Sequence, residues 1–308
     1  MRTLNVLLLL TLLALFGCGG GGGGGASAPN DFSIPTAMTL SADYPALAVG
    51  TATPTQTLGH YTDADDQDLT ASVVLSSSND SVILPVGSLL VAQNPGTAVV
   101  TATWSGGNGD LVSANMTVTV KNVTVSSVSV TDLTSAGSSV VQGEQTPAFV
   151  ASAQFSDGSS QTLIYDVVWS SNDDSIATIG ATTGIATGVF AGDATITASF
   201  GGQSGSTTLT VLPILVSIEL SAEPSHIVLG VADSAQMIVT GTYSDGSTQV
   251  ITEEAFFTHD GGIVTVIISN AAGSRGFVTG LLAVGQVNVT ATVPGVDPAT
   301  YELAVLTL

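Results

Sequence analysis

Four aspartates within a short segment form the group in this chain that most resembles a metal site: Asp63, Asp65, Asp66 and Asp68. Hard cations such as Ca²⁺ prefer several carboxylate oxygens close together, so the spacing raises the question of a calcium site. The segment does not fit the EF-hand pattern, because Asp68 stands where that loop needs glycine and Val74 where it needs glutamate. An exposed hairpin turn is the favoured interpretation, with weak calcium binding as the alternative.

Residues arranged for catalysis are sparse. Acyl transfer needs an activated nucleophile, and the chain has no G-x-S-x-G segment and a single cysteine, Cys18. The histidines His60, His226 and His259 lack the short paired spacing of a zinc site. Two carboxylates across a cleft could hydrolyse glycosides, but solvated charge is the better interpretation of the acidic residues. The sequence predicts no enzyme and no cofactor, with calcium as the one alternative.

The charge of the chain restricts its partners. Asp and Glu number 24 against three Lys and Arg, which gives a formal net charge of −21. Such a surface repels nucleic acid and anionic membrane surfaces, and it also keeps a protein soluble in salty water. We therefore expect no nucleic-acid partner.

The first residues have the form of an export signal. Arg2 supplies the positive start, and an apolar run from Leu4 to Phe16 follows. Thirteen residues at about 1.5 Å each span roughly 20 Å as a helix, which is shorter than the ~30 Å core of a bilayer. Residues 1–17 are therefore predicted to be a cleaved leader, and the glycine-rich residues 18–35 a flexible tether.

The end of this leader, Leu15-Phe16-Gly17-Cys18, resembles the lipobox of bacterial lipoproteins. The resemblance implies that Cys18 is acylated and becomes the new N-terminus, so that the protein contacts a membrane through its lipid. Gly19 fits the pattern of lipoproteins sent to the outer membrane, where the chain would face either the cell surface or the periplasm. The alternative is an ordinary secretory signal with an isolated cysteine.

The rest of the chain repeats itself three times. Each copy contains an aromatic residue followed by an acidic turn, as in YTDADDQDLT, FSDGSSQTLI and YSDGSTQVIT. Each copy later has a glycine followed by an alternating segment, beginning at Gly96, Gly192 and Gly285. These glycines lie 192 − 96 = 96 and 285 − 192 = 93 residues apart, so one copy has the length of a small domain.

The repeat is predicted to be all-β. Ala194, Ile196, Ala198 and Phe200 alternate with Thr and Ser, which indicates a strand with one buried face. The other copies show the same phase, and short strands between turns, in a unit of this length, favour a sandwich of two antiparallel sheets. We expect three domains, 36–121, 122–212 and 213–308, joined by short links into an elongated rod on the order of 100 Å long.

The second copy, from VSSVSVTDL through IYDVVWSSNDDSIATI to GDATITASFGG, resembles the bacterial immunoglobulin-like group 2 (BIG2) family. The third copy is similar but has Phe257 in place of Trp169, and the first has Leu75 there. The resemblance covers about residues 35 to 308. It implies small Ig-like sandwiches of the kind found on bacterial surface proteins and adhesins, no catalysis and ligands that vary widely.

The aromatic residues are expected to fill cores rather than to bind sugars. Trp169 matches the core tryptophan of the family, and few rings remain for a flat sugar-binding platform, namely Tyr44 and Tyr165. The others lie in the inward phase of their strands: Trp104, Phe149, Phe155, Phe200 and Tyr243.

The preferred hypothesis is a non-catalytic cell-surface lipoprotein whose domains form a stalk or an adhesion module. The alternative is a protein that binds a polysaccharide or a matrix protein, with calcium assistance; a third hypothesis is the anchoring subunit of a secreted enzyme or filament. Any adhesive contact is expected at the far tip of the third copy, where the connection after the first strand and a later turn would place His226 near His259 and Asp260.

Overall fold

The computed structural model describes residues 34–62, 64–229, 234–260, 266–280 and 284–307. In this part of the chain the strands fall into three consecutive groups, and each strand pairs only with strands of its own group. We call these three groups units 1, 2 and 3. The tether and leader, with Cys18 and Asp63, lie outside the described residues.

Unit 1 forms two sheets that face each other. Its strands are β1 (Ala37–Ala42), β2 (Ala46–Ala48), β3 (Ala52–His60), β4 (Gln67–Asp68), β5 (Val73–Ser77), β6 (Ile83–Val86), β7 (Leu89–Ala92), β8 (Gly96–Ser105) and β9 (Leu111–Lys121). One sheet has the order β1-β3-β7-β6, with β4 beside β3, and the other has the order β2-β9-β8-β5.

Unit 2 repeats this plan. Its strands are β10 (Val125–Thr131), β11 (Ser138–Val141), β12 (Val150–Phe155), β13 (Ser160–Leu163), β14 (Val168–Ser171), β15 (Ala177–Ile179), β16 (Ala186–Gly188), β17 (Gly192–Phe200) and β18 (Gln203–Leu212). The sheets have the orders β10-β12-β13 and β11-β18-β17-β14, and β15 pairs with β16.

Unit 3 is built in the same way. Its strands are β19 (Leu215–Glu223), β20 (His226–Leu229), β21 (Ser234–Tyr243), β22 (Thr248–Val250), β23 (Phe256–His259), β24 (Val266–Ile268), β25 (Phe277–Gly280), β26 (Gly285–Thr292) and β27 (Ala299–Thr307), with a 3-10 helix at Thr252–Glu254. The sheets have the orders β19-β21-β25-β24, with β22 beside β21, and β20-β27-β26-β23.

This arrangement confirms the all-β, Ig-like sandwich predicted from the sequence. It differs from a purely antiparallel sandwich in one respect. The first strand of each unit is divided between the two sheets, and its second half runs parallel to the last strand, as in β2–β9, β11–β18 and β20–β27. The divided strand closes both sheets at the same side.

Each unit has its own buried core between its sheets. The predicted inward phase is confirmed, because Ala98, Val100 and Ala102 in β8 are buried, as are their counterparts in β17 and β26. The largest fully buried side chains include Leu47 and Ile83 in unit 1, Ile196 and Leu209 in unit 2, and Ile227, Met237 and Phe257 in unit 3. A chain with a single cysteine cannot form an internal disulfide, so apolar burial must stabilise these cores. It contributes about 25 cal/mol of free energy per Å² of apolar surface removed from water.

The repeated glycine before each alternating strand has a backbone reason. Gly96, Gly192 and Gly285 have φ values of 151°, 146° and 156°, which L side chains rarely adopt. A Cβ at Gly96 would also lie 3.0 Å from Val82 Cγ2, and one at Gly192 would lie 3.3 Å from Ile176 Cδ1. Glycine at this position therefore permits the positive φ and leaves room for the side chain that packs against the start of the strand.

Candidate functional site

The contact between units 1 and 2 is built around one buried glutamine. Gln161 of β13 is only 4% exposed, and its side-chain amide reaches across to strand β2 of unit 1. Its Nε2 donates to Ala46 O at 2.9 Å, and its Oε1 accepts the N–H of Ala48 at 3.3 Å. The side chain thus pairs with β2 as a neighbouring strand would, because an amide group offers the same donor and acceptor as a backbone peptide unit.

Apolar packing reinforces this junction. Ala48 of unit 1 is 3% exposed and belongs to the hydrophobic core of unit 2. Gly50 lies beside Phe200, whose ring atom Cζ is 3.7 Å from the position of a Cβ on that glycine. Tyr44 contributes its hydroxyl oxygen, which accepts the backbone N–H of Thr162 at 3.4 Å. Units 1 and 2 therefore share buried surface as well as hydrogen bonds.

An ion pair closes the exposed side of the same junction. Lys121, the only lysine of the chain, ends β9 and places its Nζ 2.7 Å from Asp157 Oδ2 in unit 2. This hydrogen bond, followed by one from Ser159, lowers the pKa of Asp157 well below its usual range. Because the folded pKa is depressed, the ion pair contributes at neutral pH, and its contribution is lost as the pH falls through the lowered pKa.

Equivalent serines fix both links between units. In the first link, Ser156 N donates to Thr124 O at 2.9 Å, and Thr124 N donates to Ser156 Oγ at 3.2 Å. In the second link, Ser244 N donates to Ile214 O at 2.8 Å, and Ile214 N donates to Ser244 Oγ at 3.2 Å. The serine of each acidic turn therefore holds the peptide that enters its unit.

The second junction has less contact than the first. Ser244 Oγ donates to Gln142 Oε1 of unit 2 at 2.5 Å. Gln249, which follows the acidic turn as Gln161 does, is exposed, and Val250 beside it is 69% exposed. Val141, which corresponds to Ala48, is 42% exposed. Among the described residues, units 2 and 3 are joined by Ser244 and Gln142, and no buried side-chain amide crosses between them.

The predicted acidic turn lies where the structure has the connection from β3 to β4. Asp66 Oδ2 is 2.8 Å from His60 Nδ1, and Asp68 Oδ1 accepts the N–H of Thr70 at 2.8 Å. The hydrogen bond from the Thr70 side chain, followed by the one from its N–H, lowers the pKa of Asp68. Asp65 is exposed, and Asp63 lies outside the described residues. Within the described ranges no three acidic, histidine or cysteine side chains could share a metal ion, and calcium binding stays a prediction.

The two acidic turns of units 2 and 3 are confirmed as hairpin turns. Gly158 and Gly246 both have a φ of 81°, and each donates its N–H to the aromatic residue three positions earlier, at 2.9 Å in both cases. Asp157 and Asp245 each accept hydrogen bonds from the serine two residues later. The aspartates thus stabilise the turn itself.

The expectation that His226 and His259 meet at the tip of unit 3 is wrong. His226 lies in β20 and His259 in β23, which are the two opposite edges of one four-stranded sheet. Three strand spacings, roughly 14 Å, separate them across the sheet, and the register also offsets them along it, since His226 is level with Gln286 and His259 with Val289. The reason is the divided first strand, which sends the chain after Glu223 into the second sheet rather than into a terminal loop. Asp260 accepts a hydrogen bond from Asn288 at 2.8 Å.

The aromatic residues mostly lie in cores, as predicted. Phe149, Phe155, Trp169 and Phe200 are buried, and the rings of Phe149 and Trp169 lie 6.1 Å apart at 40°. Trp104 and Tyr243 are only half-buried; Trp104 is the penultimate residue of β8, and Tyr243 is the last residue of β21. Tyr44 serves the first junction, and Tyr165 is half-buried.

A polar groove of about 500 Å³ lies on unit 2. It is lined mainly by hydroxyl groups and one carboxylate, among them Asp132, Thr134, Ser138, Ser139, Thr207 and Thr208. No aromatic ring lines it, so it offers hydrogen bonds without a stacking surface.

The predicted lipid site, Cys18, lies outside the described residues. Of the helices in the part of the chain that the structure covers, none has the length and apolar character to cross a membrane.

Sequence reasoning missed the residues of the junctions. Gln161 and Gln249 occupy the same place in their repeats, so the pattern could not tell which of them is buried. Lys121 gave the clearest signal: a solitary lysine at the end of a domain, in a chain with 24 acidic residues, is expected to find a carboxylate across the link.

The fold and the junctions define a class: Ig-like sandwich units arranged in series. Residues 120–211, which include unit 2, match the family model for the bacterial Ig-like domain (group 2). Over 240 residues the chain is 30% identical to Ice-binding protein 1 of Shewanella frigidimarina, a match that covers 77% of this chain and 26% of that protein. This chain therefore spans about a quarter of the length of that relative.

Two of the solved structures similar to this chain are a surface layer protein and an adhesin. Domains 1–6 of the surface layer protein SbsC match with a TM-score of 0.37 and 16% identity, over 89% of this chain and 40% of that one. The Escherichia coli adhesin FdeC matches with a TM-score of 0.41 and 16% identity, over 91% of this chain and 99% of that one.

Proposed function

We propose that this protein is a non-catalytic, surface-displayed spacer. Its Ig-like units keep a fixed relative geometry and hold the third unit at a set distance from a membrane anchor. The observation that carries the proposal is the first junction, where Gln161 pairs with the edge of β2 and Ala48 enters the core of unit 2. A stalk needs such contacts because domains joined only by a flexible link take up many relative orientations.

The composition of the outer faces supports this role. Outward positions of β8 and β17 are mostly Thr and Ser, and the chain carries an excess of 21 negative charges. Such surfaces stay hydrated and repel one another, which suits a rod standing among other surface molecules. The first junction, with its ion pair and buried amide, is the stiffer of the two, so bending is expected at the second.

The anchor in this proposal is a lipid on Cys18, at the outer membrane. The leader and the Leu15-Phe16-Gly17-Cys18 segment support it, and the glycine-rich tether would separate the first unit from the lipid surface. A single acyl chain binds membranes only marginally, so stable anchoring needs the multiple chains of a lipoprotein N-terminus.

We expect the Cys18→Ser variant to leave the membrane fraction, because this change removes the only thiol that could be acylated. The measurement is fractionation of cells that express either chain, with mass spectrometry of the N-terminal peptide. The anchor is excluded if the wild-type peptide carries no lipid mass and the variant still sediments with membranes. Asp80→Ser, an exposed change far from the N-terminus, is the control for handling losses.

A second candidate function is recognition of a polysaccharide or a matrix protein, with or without calcium. The hydroxyl-lined groove of unit 2 favours it, since such groups can bond sugar hydroxyls. Ice is a further ligand to test, because a relative carries that name. If the protein is only a spacer, the purified chain should not bind to glycan or matrix-protein arrays, with or without calcium, and should not bind to growing ice. Binding that disappears in Thr207→Val would instead establish the groove as a ligand site.

A further inference from the structure

One edge strand in each unit carries a residue whose backbone N–H and C=O point away from the neighbouring strand, toward the free side of the sheet. Leu75, Trp169 and Phe257 occupy equivalent places in β5, β14 and β23, since they pair with Ala102, Ala198 and Ala291. In an antiparallel ladder, residues alternate between pairs that exchange hydrogen bonds and pairs that do not. At these three places the N–H and C=O point outward, toward the open side of the sandwich.

Units 2 and 3 cover this outward edge with their own chain. Trp169 N donates to the carbonyl of Ala181 at 2.9 Å. Phe257 N donates to Asn270 Oδ1 at 2.8 Å, and Asn270 Nδ2 returns a bond to Phe257 O at 2.9 Å. The outward N–H is therefore paired in both units, and in unit 3 the outward C=O is paired as well.

Unit 1 leaves the same edge open. Among the residues that the structure describes, no strand pairs with the outer side of β5, and neither a loop carbonyl nor a side-chain amide bonds to Leu75. The cause is the length of the connection that does the covering. Residues 180–185 and 269–276 provide it in units 2 and 3, whereas β6 and β7 are joined by Gly87 and Ser88 alone.

The open edge borders a groove that is lined by both apolar and polar groups. Leu75 is smaller than the tryptophan that fills this side of unit 2, and a cavity of about 370 Å³ remains between β5 and β6. Val73, Leu75 and Pro85 line it with apolar side chains, and Thr70 and Ser88 line it with hydroxyl groups. Val74, next to the open peptide, is 73% exposed. An edge with free peptide groups is a template for an added strand, and the groove beside it has room for one of the side chains of that strand.

We propose that the β5 edge of unit 1 is a docking site for an extended peptide segment of another protein. The segment adds to the sheet as a further strand, its backbone pairs with Leu75, and a large apolar side chain fills the groove against Leu75 and Pro85. Main-chain pairing supplies the affinity and the groove supplies the side-chain preference, as in other cases of strand addition. The other two units of the chain show the arrangement that the docked strand completes.

Charge decides between a different protein and a second copy of this chain. Two chains that each carry a net charge of −21 repel each other, and pairing of their β5 edges would bring both charges together. A neutral or basic segment meets no such repulsion. The occupant is therefore an uncharged or basic peptide with alternating apolar residues.

The probes are four synthetic octapeptides of alternating Thr and Val with a lysine at each end, in which one central residue is Val, Leu, Phe or Trp. Binding to the full chain is followed by NMR, through exchange of the Leu75 amide proton, and by titration calorimetry. We expect free exchange of the Leu75 amide without peptide, protection of it with peptide, and tighter binding of the Phe and Trp probes. The amides of Trp169 and Phe257, which are hydrogen-bonded, should be protected even without peptide.

Two variants and a matched control define the site. Leu75→Trp fills the groove as Trp169 does in unit 2, and Val74→Lys places a charge on the open edge; each should weaken binding at least about tenfold. Val168→Lys makes the same change at the covered edge of unit 2 and should leave binding within about twofold. Circular dichroism checks that each variant is folded.

The proposal is overturned if no probe protects Leu75, or if Leu75→Trp binds the probes as tightly as the wild type. It is equally overturned if sedimentation shows that the chain dimerises and that Val74→Lys abolishes the dimer, since the occupant would then be a second copy. None of these results bears on the spacer function, which depends on the junctions.

Discussion

Replacing Trp169 with Asp unfolds unit 2. The ring is 4% exposed, packs against Phe149 and lies against Gly184, where a Cβ would approach the indole to 3.1 Å. Loss of a buried aromatic side chain costs about 3–5 kcal/mol, and an unpaired buried carboxylate adds to this. A domain of this size is stable by only about 5–15 kcal/mol, so the loss is decisive. Scanning calorimetry of the full chain should show that the transition of unit 2 disappears.

Two control substitutions test whether the effect comes from the buried charge rather than from any change at this part of β14. Trp169→Phe keeps an aromatic core and should cost only about 1–2 kcal/mol. Val168→Asp introduces the same charge one residue earlier, at a side chain that is 55% exposed, and should change stability by no more than about 0.5 kcal/mol. An unchanged melting curve for Trp169→Asp would show that the ring does not belong to the core.

Replacing Gln161 with Leu uncouples units 1 and 2. The substitution keeps the volume but removes both hydrogen bonds to β2, and it leaves the buried N–H of Ala48 without its partner. We expect a loss of about 2–4 kcal/mol from the coupling between the two units, because unpaired buried peptide groups keep their full desolvation cost. In chemical denaturation, unit 1 should then unfold at lower denaturant than in the wild type.

The repeat provides the matched control for this change. Gln249→Leu alters the equivalent residue of unit 3, which is exposed and makes no contact of this kind in the described structure. Its unfolding curve should coincide with that of the wild type. Equal effects of the two substitutions would mean that the amide of Gln161 does not hold the junction.

The fold could be predicted from the sequence because its signals are local and repeated. Alternation in β17 follows directly from Ala194, Ile196 and Ala198, which are all buried. The Asp-Gly turn at Asp157 and Gly158 identifies a hairpin because only glycine adopts its φ of 81° without strain. Each of these features depends on a few neighbouring residues.

The junctions and the open edge could not be predicted in the same way, because they depend on contacts between distant parts of the chain. Gln161 and Ala48 are separated by 113 positions, and nothing near either residue indicates the other. The open edge at Leu75 depends on the length of a connection that begins only after β6. The separation of His226 from His259 likewise follows from a strand that changes sheets, which alternation does not reveal.

The most direct test of the spacer function is the distance between units 1 and 2 in solution. Spin labels at the exposed, equivalent positions Asp80 and Asp174, in a Cys18→Ser background, would report it by pulsed electron paramagnetic resonance. A fixed junction predicts one narrow distance distribution, which broadens when Gln161→Leu is added. A wild-type distribution as broad as that of the Gln161→Leu chain would contradict the account, because units 1 and 2 would then change their relative orientation freely.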